Sequence, residues 1–171
     1  GIALPSFASI MLLTSEDGRA AHDDYFRDFL ELARASGTGC LLETATWRAS
    51  ADWAEPLGLS QQQLDSLNWE AVDALRSLST RYRAEGLPVV ISGCIGPRGD
   101  GYDPGEVMTP EEAQDYHAWQ VGIFADAGAD MATGITITNV PEAIGIVRAA
   151  HEAGLPSAIS FTVETDGRLP T

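Results

Sequence analysis

Short apolar segments alternate with longer amphipathic segments along most of this chain. The short segments are rich in branched apolar residues, as in Val89-Val90-Ile91, which is typical of strands. The longer segments repeat their apolar residues at helical spacing. Regular alternation of these two patterns predicts successive βα units around a parallel sheet, and hence the α/β class. We count four units and expect a single domain over residues 1–171, because this length suits one ordinary core.

Capping signals predict where the helices begin. Ser60 and Gln63 form an S-x-x-Q capping box, and Thr109-Pro110 is a second strong helix start. The predicted helices run from about Ala20 to Ala35, from after Ser60 to Gly86, from Thr109 to about Ala127, and from Asn139 through Ala153. The predicted strands cover Cys40–Thr44, Val89–Ser92, Met131–Thr136 and Ser157–Thr162.

The charge balance excludes several classes of partner. Acidic residues outnumber basic residues by 25 to 10, which gives a formal net charge of −15. Such a surface repels phosphate backbones and anionic lipids, so we expect no nucleic-acid and no membrane partner. Apolar runs such as 10–13 are far shorter than the roughly 20 residues that cross a bilayer. We recognise no secretory signal, and two cysteines suit a reducing cytoplasm.

Several segments together carry a resemblance to a known family. The stretch I-S-G-C-I-G-P-R-G-D-G-Y, residues 91–102, resembles the S-G-x-I-G-P strand end of homocysteine S-methyltransferases. Residues 37–47, G-T-G-C-L-L-E-T-A-T-W, are similar to an earlier strand of that family that ends in T-x-T and an aromatic residue. A-G-A-D at 127–130, P-E-A at 141–143 and S-F-T at 160–162 match the segments that follow. The resemblance spans nearly the whole chain and is strongest to one subgroup of bacterial members.

The resemblance implies a (β/α)8, or TIM, barrel of which this chain holds about four units. It also implies that three cysteine thiolates bind zinc, and that zinc holds the homocysteine thiol as a thiolate for attack on an activated methyl donor. Those cysteines belong to N-C and G-G-C-C elements, and neither element occurs here. We therefore expect zinc in the full-length family member, none held by this chain, and an inactive fragment. The family's glycine-rich first strand also has no counterpart here.

Polar residues near the strand ends are the candidate substrate-binding residues. They are Glu43, Thr44, Thr46, Ser92, Gly93, Arg98, Asp100, Thr136, Thr162 and Glu164. Parallel βα folds bind ligands at the carboxyl ends of their strands. Arg98, like Arg48, either binds a substrate carboxylate or forms an ion pair with Asp52 or Asp100. Asp100 either orients Arg98 or caps a turn, and Glu164 either holds an amino group or orders its loop.

Other reactive side chains have simpler interpretations. Cys40 starts one strand and Cys94 follows the next, so both are predicted to be structural thiols at opposite ends of the sheet. The histidines are expected to face outward from their helices: His22, His117 and His151. Trp69 and Trp119 are expected in the core. Trp47 directly follows a strand and is a candidate for an aromatic site that binds a methylated cation.

Three functional hypotheses follow. The first is a zinc-dependent methyltransferase whose partners are a methyl donor and a small thiol or selenol amino acid. Many family members carry a glutamate for the substrate ammonium group where this chain has Ile135, so the acceptor stays open. The second is a self-contained half-barrel that binds a small ligand without catalysis. Its two bare sheet edges would have to pair in a homo-oligomer such as a dimer, be covered, or cause aggregation. The third is a metal-independent barrel enzyme that uses Glu43 or Glu164 as an acid or base.

Overall fold

The computed structural model describes residues 2–101 and 105–170, so Tyr102 of the glycine-rich motif lies outside the described residues. The strands are β1 (Cys40–Glu43), β2 (Val89–Ile95), β3 (Met131–Ile137) and β4 (Ser157–Phe161). The helices are α1 (Glu16–Ser36), α2 (Gln61–Ala84), α3 (Pro110–Ala127) and α4 (Val140–Glu152). Short 3-10 helices cover Pro5–Phe7, Ser9–Thr14 and Ala51–Trp53. No helix of the described ranges is long and apolar enough to cross a membrane.

The four described strands form one parallel sheet in the order β1-β2-β3-β4. Helices α2, α3 and α4 connect consecutive strands, and each helix packs against the next from α1 to α4. A doubly wound sheet would reverse its strand order and carry helices on both faces. Unreversed order with one row of helices is instead the geometry of a (β/α) barrel wall. The predicted architecture of four parallel βα units is confirmed.

The main core lies between the sheet and its helices. Leu42 of β1 and Ile91 of β2 pack in one buried cluster with Phe124 of α3 and Ile146 of α4. A second cluster joins the N-terminal segment, through Ile10 and other residues, to α2. Each of these five side chains has no more than 2% of its surface exposed. Because strand residues alternate in direction, the opposite face of the sheet is left open.

The first helix begins earlier than predicted. Ser15 caps it by accepting a hydrogen bond from the backbone N–H of Gly18 at 3.1 Å, and two acidic residues follow in the first turn. Gly18 weakens the local helix signal, but it is required by packing: a Cβ there would lie 2.1 Å from the Leu12 carbonyl oxygen. The predicted end at Gly37 is confirmed, with a φ of 65° that favours glycine.

Three expectations about side-chain orientation are wrong. His22 and His117 are 2% and 0% exposed rather than facing outward, because His22 packs edge-on against Phe26 and His117 bonds a buried carboxylate. Trp69 is 47% exposed and lies on the solvent flank of α2. Apolar periodicity alone does not show which flank of a helix a neighbouring element covers.

Candidate substrate-binding site at the carboxyl ends of the strands

A polar cluster crosses three strands on the open face of the sheet. Glu43 is half-buried at the end of β1, and the hydroxyl groups of Ser92 of β2 and Thr133 of β3 lie close enough to stabilise its charged form. The two hydroxyl oxygens lie 2.7 Å apart. Thr133 was not among the sequence candidates, although strand alternation from Met131 places it on this face. The cluster therefore places one half-buried carboxyl group beside two buried hydroxyl groups.

The Glu43 carboxyl group holds its proton more tightly than an ordinary glutamate does. Burial raises its pKa above the ordinary value, and the neighbouring Ser92 and Thr133 hydroxyl groups only partly oppose that shift. Its Oε2 atom is buried without a hydrogen-bond partner among the described residues. A buried acceptor without a partner is costly, which makes it a marker of a binding site.

Thr44 and Thr46 lie directly behind this cluster and are almost fully buried. The Thr44 hydroxyl accepts a hydrogen bond from the Cys94 backbone N–H at 2.9 Å, and the Thr46 hydroxyl donates to the Cys94 carbonyl oxygen at 2.6 Å. The two hydroxyl oxygens lie 2.6 Å apart. These bonds tie the loop after β1 to the end of β2, so both threonines hold the shape of the mouth. Direct contact with a substrate stays a prediction.

Trp47 bridges the ends of β1 and β3. Its indole N–H lies 3.0 Å from the Thr136 hydroxyl oxygen and 3.2 Å from the Ile135 carbonyl oxygen. Thr136 has a φ of 58° where the β3–β4 register shifts. This conformation is unfavourable for a branched residue, and such strain is found at functional sites. The backbone around Thr136 is therefore held in place by contacts across the mouth.

Ion pairs hold the glycine-rich loop after β2. Arg98 forms an ion pair with Asp52 at 2.9 Å, and Arg48 lies 3.8 Å from Asp100. The ion-pair alternative is thus realised for both arginines. Arg98 also lies over the ring of Tyr116 at 4.7 Å from its centroid.

A buried network behind this loop escaped the sequence analysis. The Glu142 carboxylate, 2% exposed, accepts hydrogen bonds from the Arg98 backbone N–H at 2.6 Å and the Asn139 amide at 3.1 Å. His117 Nε2 lies 3.0 Å from the same carboxylate. The N-x-x-E spacing of Asn139 and Glu142 signals a helix cap, but nothing local links it to His117 or Arg98. This network anchors the loop to α3 and α4.

The remaining candidates lie apart from the polar cluster. Thr162 extends the sheet, its backbone N–H donating to the Ile137 carbonyl oxygen at 3.0 Å. Glu164 is exposed in a turn, and its own backbone N–H donates a hydrogen bond to the Arg168 carbonyl oxygen at 2.7 Å. The missing side chain of Gly93 lets α3 approach, since a Cβ there would lie 2.2 Å from the Phe124 ring.

The described residues do not fit a zinc site. They contain no group of three or more His, Cys, Asp or Glu side chains that could hold a metal ion. Cys40 starts β1, whereas Cys94 lies near the end of β2. Burial raises the pKa of both thiols, and the charge of Glu43 adds to the effect at Cys94. Metal-binding cysteines need the opposite shift, because the thiolate is the ligand.

The row of helices on one side of the sheet and the polar cluster at the strand ends are features of (β/α) barrel proteins. These two features place the chain in that class. A sequence profile described as homocysteine S-methyltransferase matches residues 6–171. The chain therefore belongs to the homocysteine S-methyltransferase family.

Relatives agree with this assignment. The chain is 28% identical over 152 residues to homocysteine S-methyltransferases 3 and 2 of Zea mays, covering 78% of this chain and 44% and 43% of theirs. The metallated form of the homocysteine methyltransferase MmuM from Escherichia coli superposes with a TM-score of 0.76 at 24% identity. That match covers 99% of this chain and 59% of MmuM, so the fold is part of a TIM barrel. The chain spans less than half the length of the plant relatives.

Proposed function

We propose that this chain is one partial barrel domain of a methyltransferase that moves a methyl group from an activated donor to a small thiol. The acceptor is homocysteine or a related thiol or selenol amino acid, and the product is of the methionine type. Membership of the family over residues 6–171 carries this proposal. The acidic composition and the two free cysteines favour a cytoplasmic enzyme without nucleic-acid partners.

The contribution of this chain is to bind and orient the acceptor at the strand ends. Glu43 offers a buried carboxylate oxygen that has no hydrogen-bond partner among the described residues, and the Ser92 and Thr133 hydroxyl groups lie beside its carboxyl group. An ammonium group is the natural partner for such an oxygen. The family resemblance places Ile135 where many members carry a glutamate, so in this proposal Glu43 supplies the anionic group at the mouth. The other candidate residues shape the surrounding loops.

Zinc, in this proposal, is a property of the full-length protein. The described residues do not form a metal site, so we assign no step of the reaction to zinc through this chain. The family's N-C and G-G-C-C elements would supply the ligands from sequence outside residues 1–171.

A second candidate is a metal-independent enzyme that uses Glu43 as general acid or base. The raised pKa of Glu43, caused by its burial, favours this candidate, because a carboxyl group serves better as an acid or base as its pKa moves from the ordinary value toward the working pH. The two candidates differ in whether activity requires metal.

The test is to read the coding frame beyond Thr171 and to express the protein that it encodes. We expect N-C and G-G-C-C elements, about one bound zinc per chain, and methylation of homocysteine that a chelator abolishes. Metal analysis of the 171-residue chain alone is the matched control. Stoichiometric zinc on that chain would contradict the placement of the ligands. Full activity after metal removal would instead establish the second candidate.

A further inference from the structure

Arg48 occupies an aromatic site at the mouth of the barrel. Its guanidinium carbon lies 4.7 Å from the ring centroid of Trp53 and 5.0 Å from that of Trp47. Both distances fall within the roughly 6 Å over which an indole face attracts a cation. The Arg48 side chain is only 17% exposed, so most of it is withdrawn from water.

The polar contacts of the Arg48 guanidinium are made by its two terminal nitrogen atoms, Nη1 and Nη2. Arg48 Nη1 donates a hydrogen bond to the Ser6 carbonyl oxygen at 2.8 Å, and Nη2 lies 3.8 Å from the Asp100 carboxylate. The Nε atom is buried and has no hydrogen-bond partner within residues 2–101 and 105–170. Ring faces therefore provide the main contact for that part of the guanidinium. The Trp47 indole is itself fixed by its bonds to β3.

We propose that Trp47 and Trp53 form a cation-binding site that Arg48 fills, and that Arg48 thereby excludes methylated ammonium and sulfonium groups from it. Two indole faces around a cation are what recognises a quaternary ammonium group. A second cation must either displace the guanidinium or lie beside it in a partly desolvated place, where like charges repel strongly. Arg48 thus makes the site selective by excluding methylated cations from it.

This arrangement restricts where a methyl donor can bind. A donor that carries its methyl group on a cationic centre must place that centre away from Trp47 and Trp53. This consequence rests on the proposed function, whereas the binding properties of the aromatic site do not.

The experiment compares choline with 3,3-dimethylbutan-1-ol, its neutral isostere, by saturation-transfer NMR on the 171-residue chain. We expect Arg48→Ala to bind choline at least about tenfold more tightly than the unsubstituted chain does and to prefer choline over the alcohol. Adding Trp53→Ala should abolish the gain. Equal choline affinity with and without Arg48, or equal binding of the neutral isostere, would overturn the proposal.

A second variant guards against loss of folding. Arg48→Gln removes the charge and keeps an N–H donor, and near-ultraviolet circular dichroism monitors the native state of each variant. If Arg48→Ala unfolds, the same comparison on Arg48→Gln decides the question by the same criterion. Neither measurement uses methyl transfer, so a failed methyltransferase assay and a failed choline experiment are separate results.

Discussion

Glu43 lies half-buried at the end of β1, beside the hydroxyl groups of Ser92 and Thr133. Burial penalises its ionised form, while Ser92 and Thr133 partly stabilise it. The raised pKa has a defined effect on stability. Below the ordinary pKa of about 4.5 the Glu43 carboxyl group is protonated in both the folded and the unfolded chain, so its burial does not lower the free energy of unfolding. As pH rises toward the folded-state pKa, only the unfolded chain releases its proton, and the native state loses stability.

Replacing Glu43 with glutamine should remove this cost. We expect Glu43→Gln to be more stable than the unsubstituted chain at about pH 8, by less than about 1 kcal/mol, with a smaller difference at about pH 5.5. Urea unfolding at the two pH values measures it. Glu164→Gln, at an exposed carboxylate in the last turn, is the charge-matched control. A variant that is less stable at the higher pH would show that the ionised carboxyl contributes to the fold.

At the scale of elements, close approach between helix and strand shapes the mouth. Gly93 lies in the middle of β2, where a side chain would collide with the Phe124 ring of α3. This contact sets how near α3 lies to the sheet and hence where the buried network of His117 and Glu142 meets the loop after β2.

Gly93→Ala should therefore destabilise the chain by about 1–3 kcal/mol through overpacking. Phe124→Leu makes room, so the double variant should recover a large part of that loss in a double-mutant cycle measured by urea unfolding. Gly122→Ala on the same helix is the control, because a Cβ there meets no other atom within 4 Å. It should stabilise by roughly 0.5–1 kcal/mol. Additive effects of the first two substitutions would exclude the proposed collision.

At the scale of the whole molecule, the described residues leave apolar surface at both sides of the sheet. Leu41 of β1 is 50% exposed and Phe161 of β4 is 41% exposed. Helices α1 and α4 carry further exposed apolar residues: Tyr25, Phe29, Leu32, Val140, Ile144 and Val147. An outer strand of the described sheet also presents unpaired backbone groups. Such surfaces favour association.

We expect the 171-residue chain to self-associate, with an average mass that rises over a tenfold concentration range in size-exclusion chromatography with light scattering. Replacing Leu41 and Phe161 together with lysine should shift it toward the monomer, because charge at sheet edges opposes pairing. Val107→Lys, at an exposed loop position, is the matched control. A monomer at every concentration would contradict this prediction and favour a self-contained half-barrel.

Much of the fold was predictable because its signals are local. The capping boxes at Ser60 and Thr109 are confirmed in the structure, as is the glycine end of α1. A cap, a turn or an apolar period involves residues within a few positions of one another, so sequence carries it directly. The end of β2 was less predictable. Gly93 is a poor strand former by itself, and its pairing with Ala132 of β3 is what extends β2 beyond the predicted end at Ser92.

The location of the candidate site was predictable from the sequence, but the contacts between its side chains were not. Sequence by itself determined the four βα units, the polar strand ends and the family. Tertiary structure decided that Glu43 meets Thr133, that Glu142 meets His117, and that Arg48 lies over Trp47 and Trp53. Most of these pairs join different elements, and even neighbours such as Arg48 and Trp47 depend on side-chain direction. Such contacts follow from how whole helices and strands pack, which no local pattern encodes.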